Sequence, residues 1–123
     1  MRGAIITGVL AFLLAGLEIK EVKNLGVSAA NDANSILQVT WQATPTPDVK
    51  LSGFEIELSV TYADNFTKTF TARVNDQERR QRFEVPTLRL VPNRPAAGMK
   101  RYQVTVTAKH AAQSETATAQ GNL

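Results

Sequence analysis

Apolar and polar positions alternate along most of this chain, and the alternation places its strands. Leu37, Val39 and Trp41 share one side of a short segment while Gln38 and Thr40 take the other, the period of a strand with one face buried. The longest alternation sets Phe54, Ile56, Leu58, Val60 and Tyr62 against Glu55, Glu57, Ser59 and Thr61. Ala63-Asp64-Asn65 predicts a hairpin turn, and its return strand, Phe66 to Val74, turns Phe66, Phe70, Ala72 and Val74 away from Thr67, Thr69, Thr71 and Arg73. Phe83 and Val85 mark a further strand that stops at Pro86. Tyr102, Val104, Val106 and Ala108 alternate with Gln103, Thr105 and Thr107, and residues Glu115 to Ala119 read as a last, edge-like strand. With a first strand at Leu25 to Ala29, this makes seven.

The breaks between strands have their own chemistry. Asn31-Asp32-Ala33-Asn34 is a turn cluster, because Asn and Asp tolerate left-handed geometry and bond their own backbone. Pro45 and Pro47 keep the Gln42 to Ser52 stretch from pairing as a central strand. Pro92 and Pro95 lie in a long connection from Thr87 to Gly98. Trp41, the single tryptophan, sits where a strand meets the proline-rich loop. Truncating such a core anchor costs about 3–5 kcal/mol.

The first seventeen residues differ from the rest. After Arg2 the run Gly3 to Leu17 carries no charge, the pattern of a secretory signal or short membrane anchor. As a helix it spans roughly 22 Å, short of a hydrocarbon core of about 30 Å, which favours a signal. The cleavage chemistry favours an anchor. No suitable pair of small residues lies just after the run, Ser28-Ala29-Ala30 being too far downstream, and Leu14-Ala15-Gly16 is followed by Leu17 where a lipoprotein box needs Cys. The expected organisation is a hydrophobic helix over 1–17, a polar spacer over 18–24 and a β-domain over 25–123. Ala4, Gly8, Ala11 and Ala15 fall on one face of that helix, a small-residue seam suited to packing against another transmembrane helix.

Three stretches make the fold more specific: Leu37-Gln38-Val39-Thr40-Trp41, Leu51-Ser52-Gly53-Phe54-Glu55-Ile56, and Tyr102 to Ala108. Together they resemble the fibronectin type III pattern, in which the second strand ends in a buried Trp, the third opens with Gly-aromatic and the sixth carries Tyr-x-Val-x-Val-x-Ala. The resemblance covers residues 25–119 and implies a seven-stranded antiparallel β-sandwich. Phe54 stands where the family usually has Tyr, and the Thr87 to Gly98 connection is longer than the family's Leu-x-Pro turn. A fold of this kind serves many unrelated binding tasks.

Composition narrows the chemistry. With no cysteine among 123 residues, disulfides and Cys-based metal sites are excluded. His110 is the one histidine, placed in a loop without neighbouring ligands. Neither a G-x-S-x-G elbow nor a phosphate-cradling loop is present. The expectation is a non-enzyme without cofactor or metal. Asn65-Phe66-Thr67 matches the N-glycosylation acceptor pattern.

The net charge of +3 is modest, and the basic residues lack the interleaved exposed aromatics of a nucleic-acid binder. Between Asp76 and His110, however, eight Lys and Arg stand against three acids. Arg79, Arg80, Arg82 and Arg101 are the candidates for a basic docking face toward an acidic protein partner or anionic headgroups. The functional expectation is a small accessory subunit, anchored in the membrane through residues 1–17, whose sandwich docks on a larger envelope complex from the periplasmic or extracellular side. The alternative is a secreted module, freed by signal cleavage, that binds carbohydrate or a cell-surface protein.

Overall fold

In the computed structural model, residues 14–123 are described. They form eight strands: β1 (Leu14–Val27), β2 (Asn34–Pro45), β3 (Gly53–Tyr62), β4 (Thr67–Val74), β5 (Arg80–Pro86), β6 (Leu88–Arg89), β7 (Ala97–His110) and β8 (Gln113–Asn122). One antiparallel sheet has the order β1-β2-β5. The other runs β4-β3-β7, with β7 pairing both the short β6 and β8. No helix among the described residues is long and apolar enough to cross a membrane.

The inward stripes of the two sheets make one core. Leu37, Val39 and Trp41 of β2 and Phe83 and Val85 of β5 meet Phe54 to Tyr62 of β3 and Val104 to Ala108 of β7. Trp41 is buried, and its ring lies 5.5 Å from that of Phe54. The Gly-aromatic opening of β3 has a steric cause. Gly53 has φ +152°, and a Cβ there would stand 2.4 Å from the Val74 carbonyl oxygen, a separation only glycine avoids.

Two expectations need correction. Leu14 to Leu17, assigned to the N-terminal helix, lie in β1, where Leu14 is buried and Leu17 packs against the core. The rest of that helix, with Ala4, Gly8 and Ala11 of its seam, lies outside the described residues; Ala15 is exposed on β1. The spacer 18–24 is also strand. β1 pairs β2 from Leu14↔Pro45 to Val27↔Ser35, with three register shifts, the middle one between Ile19 and Glu21. Each bulge moves the inward phase by one residue, so Leu17, Ile19 and Val22 all face the core despite their unequal spacing. Strands therefore number eight, the eighth being the two-residue β6 inside the long connection.

Candidate functional site

The sandwich has two unlike ends. Leu14, Pro45 and the β4–β5 and β7–β8 turns lie at one. The C-terminal ends of β1, β3, β5 and β8, the N-terminal ends of β2, β4 and β7, and all of β6 lie at the other.

Arg79 sits at the first end and is committed to the fold. Its guanidinium donates to the carbonyls of Asp76 at 2.7 Å, Glu78 at 2.8 Å and Ala43 at 3.3 Å. It also lies 5.1 Å from the Phe54 ring centroid, where it closes the core rather than facing a partner. Arg80 and Arg82 project outward from β5 beside Thr40 and Gln38, and Arg82 Nε donates to Gln38 Oε1 at 2.8 Å. Arg101 lies on β7, opposite Thr61, in the other sheet. The four arginines thus do not form one face. His110 Nδ1 contacts the Lys50 carbonyl, and no group of three or more metal-ligating side chains occurs among the described residues.

The outer face of the β4-β3-β7-β8 sheet is polar and self-satisfied. Hydroxyls pair across strands at Ser59–Thr69 (2.9 Å) and Thr61–Thr67 (2.8 Å). Glu55 is held between Arg73 at 3.1 Å and Lys109 at 3.6 Å. The Arg73 hydrogen bond, with Lys109 behind it, holds the Glu55 carboxyl below the usual carboxylate range.

The second end is different. Every exposed large apolar side chain among the described residues lies there: Leu25, Val27, Phe66, Leu88, Leu90 and Leu123. Its frame is rigid. Tyr62, 1% exposed, donates its hydroxyl to the Pro86 carbonyl at 2.6 Å and so ties β3 to the end of β5; burial pushes that phenol's pKa up. The Thr87 amide donates to the Ala33 carbonyl, and the Ser35 and Thr87 hydroxyls lie 2.7 Å apart.

On this frame stands a preorganised cation. Arg89 Nε donates to Asp64 Oδ2 at 2.7 Å, and the guanidinium carbon lies 3.8 Å from the Phe66 ring centroid. That hydrogen bond holds the Asp64 carboxyl below its ordinary range. A hollow of about 360 Å³ opens between Tyr62, Phe66, Lys68, Pro86, Leu88 and Arg89. A second, of about 400 Å³, lies between Asp32, Asn34, Pro86, Leu88 and Leu90. Pro86 and Leu88 wall both. The sequence pattern hides this site, because Phe66 reads as the start of a half-buried strand, whereas it precedes β4 and is exposed, and Leu88 and Leu90 read as parts of a long connection. The available signal was two leucines flanking an arginine between Pro86 and Pro92.

Neither a protein-family model nor a curated protein sequence matches the chain. Among solved structures, a β-glucuronidase of Parabacteroides merdae aligns over 85% of this chain and 13% of its own, at 16% identity and a TM-score of 0.34. The chain thus spans about an eighth of that enzyme's length. What these residues form is an all-β sandwich of two antiparallel sheets.

Proposed function

We propose that this chain is a non-catalytic binding module of fibronectin type III build that serves as a small accessory subunit of a larger assembly at the cell envelope. The fold part of the reading is supported by the order β1-β2-β5 against β4-β3-β7-β8, with Trp41 on β2, Gly53-Phe54 opening β3, and Tyr102 to Ala108 on β7. One observation carries the binding part. Among the described residues the outer sheet faces are polar and all six exposed large apolar side chains gather at one end, and such patches mark interaction sites.

The tether is the apolar segment preceding β1. It meets the sandwich at Leu14, opposite Pro45, so an anchored domain holds its apolar end away from the membrane. The experiment is an intact-mass and size measurement on protein isolated from its native cells. The expected result is a full-length chain in the membrane fraction, migrating with an assembly far larger than its 13.4 kDa. A free monomer overturns the subunit reading.

A second reading, the secreted module, draws on one observation. Because Leu14 is already a core residue of β1, the uncharged run between Arg2 and the sandwich is Gly3 to Leu13, roughly 16 Å if helical against the bilayer's ~30 Å. The same mass measurement separates the two, since a secreted module lacks the leader.

A further inference from the structure

Resting on the binding-module reading, we propose that the end of the sandwich around Leu88 is a docking site for an extended protein segment bearing two apolar side chains flanked by carboxylates. The apolar part follows from shape. Leu88 is 54% exposed and Leu90 83% exposed, and the two hollows lie on either side of Leu88 and Pro86. An extended segment sets side chains i and i+2 about 7 Å apart on one face, which suits two hollows parted by one leucine.

The carboxylates follow from charge. Lys68 and Arg89 line the first hollow, and Arg94 and Lys100 are exposed on the same end. Asp64 is paired with Arg89, while Glu84, which accepts from the Ser28 hydroxyl at 2.9 Å, and Asp32 are two further carboxylates on the side of the second hollow. With the Arg89–Asp64 pair set aside, Lys68, Arg94 and Lys100 stand against those two acids, and the cations gather on the side of the first hollow. Asp64 engages Nε of Arg89, so both terminal nitrogens remain for a planar, bidentate carboxylate. Asp64 and Phe66 fix the guanidinium beforehand, which lowers the ordering cost on binding.

The test uses the ¹⁵N-labelled full chain and the peptide Glu-Glu-Leu-Ser-Leu-Glu-Glu, with the Lys-for-Glu peptide and phosphatidylglycerol vesicles as comparisons. The Glu peptide is expected to shift the amides of Phe66, Leu88, Arg89 and Leu90, at concentrations at least tenfold below those the Lys peptide needs. The L88S/L90S variant should weaken it at least tenfold with Trp41 emission unchanged. R94S/K100S, which leaves the apolar hollows alone, should weaken it several-fold and flatten its salt dependence. Equal binding of both peptides, shifts confined to the other end, binding of vesicles alone, or unaltered affinity in both variants overturns the proposal. If the wild-type chain enters its native assembly and L88S/L90S enters it equally well, this site is refuted while the binding-module reading stands. A wild-type chain that enters no assembly refutes that reading instead.

Discussion

Replacing Tyr62 by Phe removes one oxygen atom and tests how the two sheets are held at the apolar end. The hydroxyl donates at 2.6 Å to the Pro86 carbonyl, and the side chain is 1% exposed. The ring stays, so no cavity opens; what is lost is the bond. A net hydrogen bond contributes about 0.5–1.5 kcal/mol, and a buried acceptor left unpaired costs about 1–3. Pro86 is half-buried, so water reaches its carbonyl in part and the expected cost is about 1–2 kcal/mol. At about 4 °C per kcal/mol for a chain of this size, Tm falls by about 4–8 °C. Tyr102→Phe is the internal control, because the Tyr102 hydroxyl makes no hydrogen bond among the described residues; it should shift Tm by less than about 2 °C, in line with surface changes. Differential scanning calorimetry of both variants decides the matter. Equal shifts in the two would refute the inter-sheet tie.

Gly53→Ala should destabilise strongly, since its Cβ would meet the Val74 carbonyl oxygen at 2.4 Å in a backbone conformation that L residues rarely adopt; a urea midpoint unchanged from wild type would contradict this. Arg79→Ser should cost about 1–3 kcal/mol, the scale of lost charge-assisted bonds, while Arg80→Ser should stay within about 0.5. Equal urea midpoints for the two would return Arg79 to the docking candidates. The carboxyls of Asp64 and Glu55 are depressed in the fold, so the stability they contribute is present above their unfolded pKa and is lost as pH falls through their lowered values. Tyr62 is raised, so its contribution is complete below the unfolded phenol pKa and is lost as pH rises through the folded value. A stability profile flat from pH 3 to 6 in the wild type, or indistinguishable from that of Asp64→Asn, would refute the acid limb.

The strands that were legible in the sequence are those whose alternation is unbroken. β3 is legible to within a residue because Phe54 to Tyr62 keeps period two, the one register shift of its pairing with β7 coming only at Thr61/Tyr62, and the Tyr102 to Ala108 part of β7 is legible because its pairing with β3 is unshifted. β1 was misread because its bulges leave Leu17, Ile19 and Val22 at spacings of two and three, which erases the period. Its first four residues were also as apolar as the run before them. The basic excess from Asp76 to His110 is real in sequence, but topology distributes it. Arg79 turns into the core's end, Arg80 and Arg82 lie outside one sheet, and Arg101 belongs to the other. The apolar end is illegible for the converse reason: Val27, Phe66, Leu88 and Leu123 are distant in sequence and share one end only because the pairing of β1, β4, β6 and β8 brings their flanking strand ends there.

The proposed role of this chain is to hold a partner against the end formed by the β3–β4 hairpin and the β5–β7 connection. Hydrogen–deuterium exchange of the free chain against the chain in its native assembly tests it most directly. Slower exchange on assembly is expected at residues 63–66 and 87–94, with the 46–52 and 75–79 loops at the opposite end unchanged. Protection at those opposite loops, with 63–66 and 87–94 exchanging as in the free chain, would contradict it.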